Sequence, residues 1–350
     1  MRLRQIGDVV FTTPAVAALK EHFPAAELTY LVEPAAAAVV RGNAHLTRVV
    51  VAPRVSGIRG FLADLALGRR LARERFDLVI DFHGGPRASL LTWLTRAPRR
   101  IGYEIAGRSW MYTDRVARPR RLRARHSVEN QWDLLTALGL PSPDPARFPV
   151  TMPIDEEQLA AVRRRLAEHG VARSNRIVVM HVSAGNPFRR WPIASFAEVA
   201  AALAALDETV RVVVTSGPSE ADAAARVIEG ARDRLLDAQR ERVIASGEFS
   251  LDDLRALVDV AALYIGGDSG PMHIAATSRV PMVSLYGPTL PARSQPWRSP
   301  DIPSAAIEVA GLSCRPCDQR VCEPGDFRCL AGITPVEVIG AAVRLLGRNG

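Results

Sequence analysis

Several features that mark membrane-spanning, secreted or low-complexity proteins are missing from this sequence. No apolar run approaches the length that crosses a bilayer, and the amino terminus lacks the charged-then-apolar pattern of a secretory signal. Glycine and proline are scattered along the chain rather than massed into repeats. These absences favour an ordinary globular protein of the cytoplasm.

The sequence also lacks the short motifs of several large enzyme classes. No GxGxxG follows a predicted strand, which argues against a dinucleotide oxidoreductase, and no GxxxxGK[ST] phosphate loop occurs. The GxSxG elbow of hydrolases and the HExxH of zinc proteases are absent as well. No Asp-x-Asp follows an apolar run, so a metal-bound nucleotide has no obvious ligand pair.

Cysteine is rare, and its placement is uneven. The chain has four cysteines, all within one short segment: Cys314, Cys317, Cys322 and Cys329. Their spacing matches no standard zinc or iron–sulfur pattern. A structural tetrathiolate metal site, one or two local disulfides and a reduced cysteine-rich loop all stay open, and a cytoplasmic setting favours the metal or the free thiols.

Positive charge is abundant. The chain of 350 residues has a net charge of +8, and its arginines crowd at Arg96–Arg100 and Arg118–His126. Such clusters suit an anionic partner, although a solvated basic face explains them equally well. The length exceeds that of most single cores, so we expect two domains.

Both halves alternate short apolar runs with helical patterns, which is typical of parallel sheets covered by helices. In the first half the predicted strands are Leu28–Val32, Arg48–Ala52, Phe76–Phe82 and Arg99–Tyr103, with helices at Pro14–His22 and Gly60–Arg73. In the second half the predicted strands are Arg176–Ala184, Val210–Gly217, Arg242–Ser246, Ala262–Asp268 and Val280–Gly287, with helices at Ile193–Leu206, Glu220–Ile228, Leu251–Asp259 and Pro271–Thr277.

A stretch with five prolines, Leu138–Glu157, separates the halves and predicts an interdomain connection. We therefore expect two doubly wound Rossmann-like α/β domains that face each other across a cleft. The first predicted strand is unusually short, since a Gly-Asp loop follows after six residues, and this predicts that the natural start lies further upstream.

Three strand-to-helix junctions carry polar residues of possible chemical use. In "IGGDSGPMHIAAT" the turn offers Asp268, Ser269 and Gly270 beside free helix amides, which bind phosphate, although either side chain alone suits a helix cap. In "HVSAGNPFRRWP" small residues precede Arg189, whose guanidinium suits a pyrophosphate or simply the surface. In "QIGDVVFTTP" Asp8 is a candidate general base or another cap.

Taken together, these stretches resemble glycosyltransferase family nine, the bacterial lipopolysaccharide heptosyltransferases. "IGDVVFTTPAVAALKEHFPAAELTYLV", "DFHGGPR", "HVSAGNPFRRWP", "GGDSGPMHIAA" and "SLYGPTLPARSQPW" follow one another in the family's order over nearly the whole chain. The resemblance implies the GT-B fold. We expect an acceptor domain at 1–150, a nucleotide-sugar domain at 151–333 and a last helix at 334–350 that crosses back to the first domain.

The resemblance also implies roles for individual residues. The catalytic aspartate falls on Asp8, and the family's phosphate-binding lysine falls on Arg189, a change that keeps the charge but replaces a point donor with a fork. Donor contacts are expected from Ser183, Arg189, Glu220, Asp268, Ser269, Gly270 and His273, and acceptor contacts from Thr12, Thr13 and Arg87. Within that set, Glu220 is expected at the nucleotide ribose.

The implied reaction is an inverting, metal-independent transfer of heptose from ADP-L-glycero-D-manno-heptose to the inner core of lipopolysaccharide, with no further cofactor. The implied setting is the cytoplasmic face of the inner membrane, where a monomer binds an anionic glycolipid peripherally and no nucleic acid. The arginines between Arg96 and Arg125 are the expected membrane contact.

Other readings stay open. A family member acting on another nucleotide sugar differs in its donor, whereas a nucleotide-sugar 2-epimerase of the same architecture would turn over donor without acceptor. A non-enzymatic binding protein would bind without turnover and would hold DNA or RNA at moderate salt.

Overall fold

The computed structural model describes residues 1–118, 124–182 and 184–347. The chain divides into two compact units, Met1–Pro153 and Ile154–Gly350. The division falls inside the proline-rich stretch in which the sequence predicts the connection. Within the described residues, no helix combines the length and the apolar character needed to cross a membrane.

The first unit alternates strands and helices. Its strands are β1 Thr29–Val32, β2 Arg48–Val51, β3 Leu78–Ile80, β4 Arg99–Glu104 and β5 Asp114–Ala117. Its helices are α1 Ile6–Val10, α2 Thr13–His22, α3 Ala37–Val40, α4 Gly57–Arg73, α5 Pro86–Leu94 and α6 Ser127–Thr136, with single 3₁₀ turns at Pro34–Ala36 and Ser109–Met111.

All strand pairs of the first unit are parallel, in the orders β1-β2 and β3-β4-β5. The segment from Met1 to Leu3 lies between β1 and β3. Arg2 N–H donates to the Leu31 carbonyl at 3.3 Å, and the Met1 carbonyl accepts from Phe82 N–H at 3.0 Å. Leu3 is buried with Leu31, so these few residues join the two sheets. The next element of the chain is α1, which contains Asp8.

The second unit holds strands β6 Arg176–His181, β7 Val210–Thr215, β8 Val243–Ile244, β9 Leu263–Gly267, β10 Met282–Tyr286 and β11 Ser304–Glu308. Its helices are α7 Glu156–Glu168, α8 Ile193–Leu206, α9 Ala221–Arg232, α10 Asp237–Arg240, α11 Leu251–Asp259, α12 Gly270–Ala275, α13 Pro291–Ser294, α14 Arg328–Ala331 and α15 Pro335–Gly347, with 3₁₀ turns at Pro187–Arg189 and Pro218–Glu220.

The sheet of the second unit is parallel throughout, in the order β11-β10-β9-β6-β7-β8. This is the doubly wound order. Successive strands are added on one side of β6 up to β8, and then on the other side from β9 to β11, so the strand order reverses between β6 and β9. Except for the edge strand β11, the strands are almost continuously apolar, as burial on both faces requires, and their residues share one core with α8. Ligands of such sheets bind beyond the carboxyl ends of the strands at the reversal.

The last helix, α15, lies within the range in which the sequence predicts a final helix. Val338, Ala342 and Leu346 recur every four residues on one face of α15, and this face is buried in the core of the second unit against α8 and β10. The helix is therefore part of the core of the second unit.

Candidate active site

The reversal in the second sheet brings two of the predicted junctions together. β6 and β9 are neighbours, with His181 opposite Gly266, so the loops that follow them begin side by side. The first loop carries Arg189 and the second carries Asp268. The sequence separates these residues widely, and the strand order unites them.

Asp268 is the centre of this site, with only 3% of its surface exposed. Thr289 Oγ1 donates to its Oδ2 at 2.5 Å, and Arg189 Nη1 lies 3.3 Å from the same oxygen. His273 Nε2 lies 3.4 Å from Oδ1. Burial by itself would raise the pKa of Asp268, but His273, Arg189 and Thr289 outweigh it and hold the pKa well below its usual range. Asp268 is therefore ionised although it is buried, and its carboxylate lies beside Arg189 and His273.

Ser269 occupies the N-cap position of α12, yet its side chain makes no capping bond. Its hydroxyl is buried and has no hydrogen-bond partner among the residues that the structure describes. Gly270 and Pro271 then open the helix. A buried hydroxyl without a partner costs free energy, and a ligand that bonds to it would remove that cost.

Arg189 is held by two groups before any ligand arrives. Its Nη1 donates to the Asp268 carbonyl at 3.0 Å, and its Nε donates to Gln319 Oε1 at 2.8 Å. Asn186 Nδ2 also donates to Gln319 Oε1, at 2.8 Å. Gln319 belongs to the cysteine-rich segment, which the sequence analysis did not connect with the site. Thr289 was missed as well.

Glu220 ends the 3₁₀ turn after β7 and is 7% exposed. Its Oε1 accepts from Arg190 Nη2 at 2.8 Å, and Arg190 Nε donates to the Ala184 carbonyl at 3.0 Å. An open cavity of about 700 Å³ lies at the ends of β7 and β8, lined in part by Ser216, Ala221 and Gly247. Ser183, the remaining predicted donor contact, lies outside the described residues.

In the first unit, Asp8 lies in α1 and a third of its side chain is exposed, at 33%. Arg2 donates to its Oδ2, and the same guanidinium bonds the Phe82 carbonyl at 2.6 Å through Nη1. Gln131 Nε2 donates to the Asp8 carbonyl at 3.3 Å. Arg2 therefore fixes the direction of a carboxylate that keeps access to solvent.

Comparison with known proteins supplies the decisive observation, because the model of glycosyltransferase family 9 (heptosyltransferase) matches residues 65–326, well over half of the chain. The chain belongs to glycosyltransferase family 9. It is similar to lipopolysaccharide heptosyltransferase 3 of Escherichia coli, at 27% identity over 98% of this chain and 97% of that protein.

Solved structures of family 9 proteins share the fold. The glycosyl transferase family 9 protein of Veillonella parvula DSM 2008 has a TM-score of 0.82 at 24% identity, over 99% of this chain and 95% of that one. Escherichia coli ADP-heptose lipopolysaccharide heptosyltransferase II has a TM-score of 0.76 at 19% identity, over 100% and 99%. The predicted family, the GT-B α/β fold and the assignment as a glycosyltransferase are confirmed.

Two predicted acceptor contacts, Thr12 and Thr13, are buried in the first unit. Thr12 and Thr13 have no exposed surface. Thr12 Oγ1 is shared between the Val9 carbonyl and the Tyr30 hydroxyl, at 2.7 and 2.5 Å. Thr13 Oγ1 donates to the Val10 carbonyl at 2.8 Å and accepts from Thr151 N–H at 2.9 Å. Both hydroxyls are therefore bonded to groups of the first unit, and their contact with an acceptor stays a prediction.

Arg87 is also engaged within the first unit. Its guanidinium bonds both oxygens of Asp64 at 2.8–3.0 Å, Glu33 Oε1 at 2.7 Å and the Pro53 carbonyl at 2.8 Å. An acceptor would have to compete with two carboxylates for these donors. Arg87 thus supports the loop after β2, and its contact with an acceptor stays a prediction.

The arginines between Arg96 and Arg125 are less available than the sequence suggests. Arg99 pairs with Asp114 at 3.0 Å, Arg125 pairs with Asp133 at 2.6 Å, and Arg100 Nε donates to the Met111 carbonyl at 2.9 Å. Residues 119–123 lie outside the described part of the chain.

The four cysteines are free thiols in the structure, so the disulfide alternative is wrong for this state. Burial and neighbouring thiols raise the pKa of Cys329. Within the described ranges, no three His, Cys, Asp or Glu side chains are grouped so as to hold a metal ion. The geometry therefore gives the tetrathiolate alternative no support.

Proposed function

We propose that this family 9 enzyme transfers heptose from ADP-L-glycero-D-manno-heptose to the inner core of lipopolysaccharide, with inversion at the anomeric carbon. Two similar proteins support the substrates, since one is named a lipopolysaccharide heptosyltransferase and the other an ADP-heptose lipopolysaccharide heptosyltransferase. The observation that carries the proposal is the meeting of Arg189 with Asp268 and the partnerless Ser269 hydroxyl at the sheet reversal.

In this proposal the second unit holds the donor. The diphosphate binds to Arg189, to the Ser269 hydroxyl and to the amides at Gly270, with His273 as a further donor and Asp268 holding Arg189 and His273 in place. Ser183 completes the contacts. Glu220, paired with Arg190 in the structure, contacts the ribose beside the cavity at the ends of β7 and β8.

The first unit supplies the base. The acceptor hydroxyl attacks the anomeric carbon as the bond to ADP breaks, and Asp8 takes the hydroxyl proton. Negative charge that builds up on the departing diphosphate is met by Arg189 and His273. Because the chain itself supplies these cationic and N–H donors, the reaction needs no metal in this proposal, and activity should persist in EDTA.

We place the reaction at the cytoplasmic face of the inner membrane, where a monomeric enzyme meets its anionic glycolipid acceptor. The support is physical: the net charge of +8 attracts such an acceptor, and no nucleic acid is invoked as a partner.

The first prediction concerns Asp8. Asp8→Asn keeps the shape of the side chain but removes the base, so transfer should fall by about 100-fold to 10,000-fold while ADP binding is unchanged.

Arg189→Gln should weaken ADP binding and raise the activation barrier of transfer by about 3 kcal/mol. Product mass, read after incubation with ADP-heptose and defined truncated lipopolysaccharides, reports transfer.

Asp77→Asn is the matched control, since it removes an exposed carboxylate of the same unit. Full activity of Asp8→Asn would refute the base assignment. Turnover of ADP-heptose without acceptor, or transfer only from another nucleotide sugar, would refute the proposed reaction.

A further inference from the structure

The amino-terminal half of α4 has large apolar side chains that the described part of the first unit leaves exposed. Ile58 is 80% exposed, Phe61 55% and Leu62 57%, and Val55 in the preceding loop is 48% exposed. Exposed apolar residues are common singly, but a cluster of this size on successive residues of one helix marks an interaction surface.

The exposed apolar side chains and several arginines share one face of the helix. Residues that lie three or four positions apart on α4 form one stripe, which we call the α4 stripe: Ile58, Phe61, Leu62, Leu65, Arg69 and Arg73. The opposite face is buried through Gly60, Gly68 and Leu71. A Cβ on Gly68 would lie 2.6 Å from Leu94 Cβ, which shows how closely α4 packs on α5.

Positive charge predominates in α4 and the loop before it. Between Arg54 and Arg73 the sequence has five arginines and one carboxylate, Asp64. Asp64 is already bound through both oxygens to Arg87. The stripe continues into a groove of about 510 Å³ between α4 and α5, lined by Leu65, Arg69, Ala72, Arg73, Leu94 and Arg96.

We infer that the α4 stripe docks this enzyme on an anionic lipid bilayer. Ile58, Phe61 and Leu62 enter the interface between headgroups and acyl chains, while Arg69 and Arg73 bind lipid phosphates. An amphipathic helix with apolar residues at one end and arginines along the same face has the composition that binds such interfaces. The inference deepens the proposed function, because the proposed acceptor is a membrane glycolipid.

This placement differs from the sequence expectation, which assigned the membrane contact to Arg96–Arg125. Arg99 and Arg125 of that stretch are paired with carboxylates of the first unit. The α4 stripe combines an exposed apolar surface with arginines on the same helix.

The test is flotation of the full-length protein with vesicles, without donor or acceptor. Vesicles of phosphatidylcholine with 30% phosphatidylglycerol are compared with pure phosphatidylcholine. The Phe61→Ser/Leu62→Ser variant should bind the anionic vesicles at least about tenfold more weakly than the wild type, because two side chains lose their apolar contact with lipid. The matched control Leu236→Ser/Val336→Ser removes two side chains that are each 73% exposed in the second unit, and should bind like the wild type.

A second arm tests the charge. The Arg69→Gln/Arg73→Gln variant should bind the anionic vesicles more weakly than the wild type. The binding that is left should depend less on salt concentration. Arg163→Gln/Arg164→Gln removes two exposed arginines of α7 and should leave binding unchanged. Thermal unfolding of each variant reports whether its fold is intact.

Equal vesicle binding by wild type and both α4 variants would overturn the inference. So would a wild-type dimer in sedimentation that Phe61→Ser/Leu62→Ser converts to monomer, because the stripe would then be an interface between two copies. Transfer to a delipidated core oligosaccharide is measured separately. The α4 variants should retain it, whereas its absence in the wild type would count against the proposed function and not against the docking surface.

Discussion

Asp268 illustrates what burial does to a single carboxylate. A group exposed by only 3% would normally take up a proton, but three neighbours that are distant in sequence or on the next helical turn keep this one ionised. The charge is used to orient Arg189 and His273 rather than to touch solvent. The same residue in a solvated loop would be a simple helix cap.

His181 is the second buried titratable group near the site. Complete burial lowers the pKa of His181 to about 4, and its Nδ1 lies 2.9 Å from Thr215 Oγ1. An imidazole in the unfolded chain titrates near pH 6.5. Above about pH 7 both states are neutral. As the pH falls from about 6.5 towards 4, the unfolded chain binds a proton that the folded protein excludes.

The free energy of unfolding should therefore decrease through that window, by up to about 3 kcal/mol for this residue. His181→Asn, which does not titrate, should lack this part of the dependence. Denaturant unfolding at pH 7 and pH 5 measures it, and the wild type should lose about 2 kcal/mol more than the variant. If the two proteins respond equally to pH, His181 is not buried in its neutral form.

At the scale of elements, the cysteine-rich segment gains a role through one side chain. Gln319 accepts from Arg189 and Asn186, and Arg315 ties the segment to the Thr289 carbonyl at 2.7 Å. Thr289 in turn bonds Asp268. The loop that carries the cysteines thus contacts the proposed donor site at two points, and in the proposed function Gln319 positions Arg189.

Gln319→Ala should raise KM for the donor about fivefold to tenfold with little change in kcat, because one hydrogen bond that orients Arg189 is lost. In the Arg189→Gln background the same substitution should have no further effect, as a double-mutant cycle would show. Arg320→Gln, the exposed neighbour, serves as control. An equal loss in both backgrounds would mean that Gln319 acts only through the stability of the loop.

Periodicity identified most elements but not all. The predicted helices Ile193–Leu206 and Leu251–Asp259 agree with α8 and α11 residue for residue. The edge strands β5 and β11 were missed because half of their residues face solvent, with polar or small side chains in place of an apolar run. Helix α5 was missed because two of its four buried residues, Ser89 and Thr92, are polar, so its apolar residues alone do not outline a helical face.

At the scale of the whole molecule, each unit has its own core. Leu134 is fully buried in the first and Leu203 in the second. We expect two unfolding transitions, since proteins with separate cores depart from two-state behaviour. Leu134→Ala should lower the free energy of unfolding of the first unit, and Leu203→Ala that of the second, each by about 2–5 kcal/mol. Each substitution should therefore move one transition to a lower temperature.

ADP should raise only the transition that Leu203→Ala lowers, because a ligand stabilises the unit that binds it. Calorimetry of the intact chain with and without ADP measures this. A rise of the transition assigned through Leu134→Ala would contradict the placement of the donor site in the second unit.

The sequence by itself determined the alternating α/β pattern, the two halves and the family, because strand and helix periodicity and short motifs are local properties of the chain. Only the tertiary structure decided which polar groups are available. The predicted acceptor contacts all bond to other groups of the first unit: Thr12, Thr13 and Arg87. Arg189 and Gln319 meet across 130 residues. Pairings of that kind depend on strand order and packing, which no local pattern records.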